Sequence, residues 1–295
     1  MRKVTVFMLA AVLLFSLASC VNQHPEAAKA NVPKGDLRII VTSVATMEIM
    51  DKLGVQLAGI PHSDLYEPPE RYKNVPEVGM PMSPDMEIIK SLKPDWVFSP
   101  NSLEPDLKPK YEAAGVSAAF LNLRSVDGMY NSIRDLGKLL GKEKEAQALT
   151  DEYSAFYEKY KNRNADKAKP RVLVLMGLPG SYIVATENSY VGSLVKMAGG
   201  TNVYEGETQE FIAANTEDMS KRDPDIILRA AHALPDQVVE MFAKEFEQND
   251  IWKHFRAVQE NKVYDLPYQQ FGMSATFRYP DALKALQGIL YGEDQ

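Results

Sequence analysis

Two potential metal donors lie in loops rather than on apolar stripes: Met82 in GMPM (residues 79–82) and His232 in AAHALP (residues 230–235). Most of the thirteen methionines fall at core spacing and serve as filler. Met82 does not, because Gly and Pro bound its turn. His232 follows the apolar run IILRA. A lone histidine at such a place is commonly a partly buried structural group. A thioether from one half of a chain and an imidazole from the other can also hold a haem iron from both sides. Spacing alone leaves both readings open. Met80, His62, Asp64 and Tyr182 fall in similar loops, whereas His254 follows Trp252 on a helical face and reads as structural.

Other chemistries find little support. There is no GxxxxGK[ST], no GxGxxG after a strand, and LPGSY (residues 178–182) is not a nucleophile elbow. The four histidines are scattered, without the local spacing of a zinc site. A catalytic role is therefore not expected.

Composition is that of a soluble globular chain, 45% apolar and 25% charged over 295 residues, long enough for two cores. The start is different. Arg2 and Lys3 precede VTVFMLAAVLLFSLA, which reads as a secretory signal over residues 1–20. The chain's one cysteine, Cys20, ends LASC, which resembles the bacterial lipobox and is expected to carry the lipid. Two or more acyl chains would anchor the protein stably. Removing residues 1–20 takes the formal charge from −7 to −9, which argues against nucleic acid as a partner. Residues 21–35, with His24, read as a tether.

The elements that must position the donors follow. Residues 36–141 read as an N-terminal lobe: strands at 37–42, 55–60, 94–100 and in SAAFLNL, with helices between them. Thr42 and Ser43 cap the first helix, Ser83–Pro84 opens another, and Asp127 caps a helix through Leu140. Residues 142–169 are an inter-lobe helix and linker. In 143–163, Ala146, Leu149, Tyr153, Phe156 and Tyr160 form one stripe about 30 Å long. Residues 170–295 read as a C-terminal lobe that repeats the plan, since DMEIIKSLKPDWVFSP and NTEDMSKRDPDIILRA align in register. In each, Glu87 or Glu217 lies seven residues before Pro94 or Pro224. Alternating strands and helices imply an α/β fold of two similar lobes with mainly parallel sheets. Ligands bind beyond the carboxyl ends of such strands. The cleft loops would be 42–45, 61–64, 80–82, 177–182 and 230–234.

The runs RVLVLMGLPGSYIVATENSYVGSLVKMAGGTNV, PDIILRAAHALP, EFEQNDIWKHF and NVPEVGMPM are similar to the haem-binding lipoproteins of iron-regulated surface determinant systems. These belong to the helical-backbone class of ABC-transporter binding proteins. The resemblance covers residue 36 to the C-terminal helix. It implies two lobes bridged by one long helix, haem b in the cleft as transported ligand, and axial ligands at Met82 and His232. It also implies delivery to an ABC permease with its cytoplasmic ATPase, which docks at Glu87 and Glu217. Simple complementation of a helix dipole would also account for those two acids. A cell-wall haem donor upstream and a lipid-anchored monomer on the extracytoplasmic face complete the picture. The alternative cargo is a siderophore or corrinoid, and the cross-class rival is an enzyme that degrades haem. The chain departs from the family at Met80, where the relative has a polar residue, and at His62 and Asp64. A porphyrin wants an apolar floor and donors at one edge. Val41, Leu178, Tyr182 and Phe271 are candidates for the floor. The helix start at Thr42, Ser43, Val44 and Ala45, with Ser63, is the candidate propionate edge. A single helical link is expected to permit only a small lobe movement on loading.

Overall fold

The computed structural model describes residues 37–292. The signal segment, Cys20 and the tether lie outside the described residues.

In the first half, β1 (Ile39–Val41), β4 (Trp96–Pro100) and β5 (Ala118–Leu121) pair in parallel, in the order β1-β4-β5. The apolar run of β1 is buried on both faces, as a covered parallel strand requires. Around the sheet lie α1 (Val44–Lys52), α2 (Met86–Ser91), α3 (Glu104–Ala114) and α4 (Val126–Leu140). A two-strand hairpin, β2 (Gly79–Met80) and β3 (Ser83–Pro84), precedes α2. Three local expectations change. Residues 55–60 form only single bridges, Ile40 to Gly59 and Ile60 to Glu77. Pro61, which has no N–H, follows at once and ends the ladder. Ser83 and Pro84 are drawn into the hairpin, so Asp85 caps α2 and accepts from the N–H groups of Glu87 (2.9 Å) and Ile88 (3.0 Å). Helix α4 is capped by Ser125, whose Oγ accepts from Gly128 N–H at 3.0 Å, because Val126 must already be helical to bury. Asp127 instead accepts from the Tyr153 hydroxyl at 2.5 Å.

In the second half, β11 (Val263–Asp265), β10 (Ile226–Ala231), β6 (Arg171–Leu178), β7 (Ser181–Ala185) and β9 (Phe211–Ala213) lie in that order, with β8 (Thr201–Asn202) beside β6. β10 pairs in parallel with β6 and β11, while β7 is antiparallel to β6 and β9. Helices α6 (Tyr190–Ala198), α7 (Thr216–Lys221), α8 (Pro235–Gln248), α9 (Arg256–Gln259) and α10 (Tyr279–Tyr291) cover it.

The repeated sequence folds into a repeated unit. Helices α2 and α7 are each six residues long and end at a non-glycine residue with positive φ before proline, Lys93 (46°) and Asp223 (43°). The next acid holds each kink to the neighbouring strand. Asp95 accepts from Arg38 N–H at 2.8 Å and Asp225 from Arg171 N–H at 2.7 Å. Arg38 and Arg171 return their guanidinium groups to the carbonyls of Leu92 and Arg222. Each helix ends where its strand begins, so Glu87 and Glu217, at the second helical position, lie toward the end where the strands finish.

Helix α5 (Glu143–Asn164) is the long amphipathic one. Ala146 packs so close to Gly137 that a Cβ there would sit 2.6 Å from it. Tyr153 stacks on Tyr130 of α4 at 4.3 Å and meets Tyr279 of α10 edge-on at 5.7 Å. Phe156 also meets Tyr279, and Tyr160 donates to the Leu283 carbonyl at 3.0 Å. The stripe thus serves both halves at once. The chain also returns after β11: Ala275 N–H donates to the Leu123 carbonyl at 2.8 Å, which sets residues just before α10 against the first half. Arg124 and Glu210, one from each half, pair at 2.6 Å.

Candidate functional site

The carboxyl end of β1 leads straight into α1. Ser43 and Thr46 form a capping box, with Ser43 N–H donating to Thr46 Oγ1 and Thr46 N–H to Ser43 Oγ, both at 3.2 Å. The N–H groups of Val44 and Ala45 point out of the first turn and find no acceptor among the described residues. Thr42 differs from its expected role. It is fully enclosed, its N–H bonds Phe98 O at 3.1 Å, and its hydroxyl joins Ser99 (2.7 Å) and through it Tyr111. Val41 and Phe271 are enclosed as well. All three back the wall from within the core and cannot touch a ligand surface.

Beyond Pro61, His62 N–H donates to Gly79 O at 2.9 Å and ties the mouth loop to the hairpin. The His62 ring lies between Glu77 (2.6 Å) and Asp64 (3.2 Å), and the hydrogen bond and charge of Glu77 raise its pKa. With both nitrogens engaged, His62 is a clamp rather than a free ligand. Ser63 Oγ accepts from Leu65 N–H at 3.3 Å. At the hairpin tip, after Pro81, Met82 is 59% exposed, and Met80 in β2 is 48% exposed. Leu65 and, in the loop after β10, Leu234 are similarly exposed. Large apolar side chains in water carry information when they gather in strand-end loops.

His232 occupies the corresponding end of β10. Its N–H donates to Gly177 O at 2.9 Å, which fixes it against the end of β6. The ring is partly buried, and its Nδ1 is enclosed with no partner among the described residues. Burial lowers its pKa, so the neutral imidazole persists. Two residues on, Leu234 holds φ 48°, a strained value for a side chain of that kind. Leu178 is partly buried beside this loop. Tyr182 stands opposite Gly177, but its hydroxyl donates to Glu245 at 3.0 Å and its ring packs on Phe242 and Trp252 under α8. It braces the strand end rather than offering a free phenol.

A polar group that the sequence reading missed adjoins α1. Glu48 follows Val44 by four residues and shares its face. It lies beside Tyr66 of the mouth loop and near Arg278, and its pKa is raised by burial. The signal was an acid inside the apolar run VATMEIM. Among the described residues no cluster of three or more His, Cys, Asp or Glu could hold a metal ion.

Residues 39–270 match the periplasmic binding protein family. The chain belongs to that family. It is 41% identical over 292 residues to the high-affinity heme uptake system protein IsdE of Staphylococcus aureus (strain Newman), spanning 98% of this chain and 97% of that protein. An ABC transporter substrate-binding protein from Listeria monocytogenes EGD-e superposes with a TM-score of 0.84 at 48% identity, covering 88% of this chain and 100% of that one. The S. aureus IsdE complexed with heme gives 0.83 at 43%, covering 87% and 100%. Membership accounts for the lack of catalytic motifs, because this family binds and hands over solutes.

Each half therefore contributes one set of groups. Met80, Met82, the clamp at His62 and the free N–H groups of Val44 and Ala45 come from the first. Leu178 and His232, braced by Tyr182, come from the second. An exposed thioether and a neutral, partly desolvated imidazole are each suited to a soft or borderline metal ion.

Proposed function

We propose that this chain captures haem outside the cell and delivers it to a membrane ABC permease. The observation that carries this reading is His232: a neutral imidazole at a strand end, with an enclosed, unpartnered Nδ1. Met82 supplies the opposing thioether, and haem is the cargo rather than a resident cofactor. Ser43, Val44, Ala45 and Ser63 form the edge that receives the propionates, mainly through backbone N–H groups. The halves at residues 36–141 and 170–295, with α5 and its linker (142–169) between them, act as two lobes. Similarity to the heme uptake protein and to its heme complex supports the assignment. Cys20 anchors the mature chain by lipid on the extracytoplasmic face, where a single copy receives haem from a cell-wall donor.

Titration of haem into the protein, followed by absorption, tests the reading directly. Its pH dependence has a defined sign. Folded His232 holds a proton less tightly than free imidazole, so protons compete with iron only below the ordinary value of about 6.5. Affinity is expected to stay level through that value and to fall at lower pH. A decline centred at or above the ordinary imidazole value would remove His232 as ligand.

Glu87 and Glu217 are both exposed, each at the second position of matched six-residue helices. Glu217 pairs with Lys221 at 2.8 Å, an exposed bond of little weight for stability. As docking points for permease cations, they make a clear prediction. Reversing both charges is expected to lower uptake by roughly tenfold or more, since like charges across an interface cost several kcal/mol. Haem binding by the purified variant should be unchanged. Loss of binding there would mark the two acids as structural.

A further inference from the structure

Three side chains from separate segments meet beside α1. Glu48 comes from α1, Tyr66 from the mouth loop, and Arg278 from the return segment before α10. The Arg278 guanidinium lies 5.9 Å from the centre of the Tyr66 ring, and its Nη1 donates to Gln269 Oε1 at 2.7 Å. Its Nε and Nη2 have no acceptor among the described residues. Glu48 lies within electrostatic reach of the Tyr66 hydroxyl, the Phe277 N–H and Arg278, so loop, helix and return segment come side by side here. One Glu48 oxygen, Oε2, is enclosed without a partner.

We propose that Arg278, held over Tyr66 and tied to Gln269, is the cation that recognises a carboxylate of the bound porphyrin. This deepens the haem reading and rests on it. The N–H groups of Val44 and Ala45 supply direction but no full charge. Arg278 adds that charge and two spare donors in the fork that matches a carboxylate. Glu48 is a weak competitor for it. Burial disfavours its charged form, so it pairs only weakly with the guanidinium. Arg278 is thus a specificity residue: it selects tetrapyrroles with free carboxylates over neutral ones. Tyr66 and Gln269 are positioning residues.

The test compares haem with its dimethyl ester, whose carboxylates are blocked, on the parent, Arg278→Gln and Arg278→Lys. Arg278→Gln should weaken haem binding roughly tenfold or more and leave ester affinity unchanged. The ligand-field spectrum should not move, and Arg278→Lys should restore part of the loss. Equal loss of haem and ester would show a structural role and overturn the proposal, as would no loss of either. A parent that binds neither ligand, or whose haem binding ignores His232→Ala, would overturn the haem reading itself.

Discussion

Replacing His232 with alanine is expected to weaken haem binding by at least the roughly 10–100-fold that losing even a supporting group costs a metal site. The low-spin spectrum of a six-coordinate iron should give way to a five-coordinate one. The size follows from the site. The Nδ1 of His232 is enclosed and burial favours the neutral ring, so no deprotonation step precedes ligation. The other imidazole in the strand-end loops, His62, is bonded at both nitrogens and is not free to substitute. Met82→Ala should have a smaller effect. A thioether is the weaker donor, and Met80 is exposed on the same hairpin, two residues away. The double Met80/Met82 variant should therefore lose sulfur ligation that the single variant retains in part. Parent-like spectra and affinity in both His232→Ala and the double variant would show that the iron is held elsewhere.

The second large effect concerns the junction. Tyr153→Ala is expected to destabilise the protein by about 3–5 kcal/mol, as for other buried aromatic truncations. Tyr153 is 6% exposed, stacks on Tyr130, meets Tyr279 edge-on and bonds Asp127. Tyr153→Phe removes only the hydrogen bond and should cost about 1 kcal/mol. Chemical denaturation measures both. The same cluster restrains the lobes, because it joins α4, α5 and α10. Solution scattering of the parent should therefore change little when haem is added. Tyr153→Ala should widen the difference between empty and loaded forms. A large compaction in the parent would show that α5 and the return segment form a hinge.

The repeated helix–proline–strand unit could be read from sequence because its causes are local. A helical stripe, a kink before proline and an acid after it recur in both halves, and they fold alike down to the Arg38–Asp95 and Arg171–Asp225 bonds. The caps were harder. Ser83 and Asp85, or Ser125 and Asp127, are equally good capping types two residues apart, and the choice between them depends on the hairpin and on the burial of Val126. Val41, Thr42 and Phe271 were read as lining residues because sequence shows which residues are apolar or at a strand end. It does not show which are already covered.

From spacing in the sequence came the α/β class, the long amphipathic helix and the strand-end loops, while Met82 and His232 stood out as iron ligands only through the family resemblance. Each of the first three depends on spacing within a short stretch, and short-range spacing fixes secondary structure and the face a residue takes. The tertiary structure decided the rest. It enclosed His232 Nδ1, engaged both nitrogens of His62, turned Tyr182 toward Glu245, and brought Glu48, Tyr66 and Arg278 together. The return of residues before α10 to the first half belongs here too. Burial and encounter between distant segments depend on how elements pack, and no local pattern encodes which far-off side chain will cover or partner another.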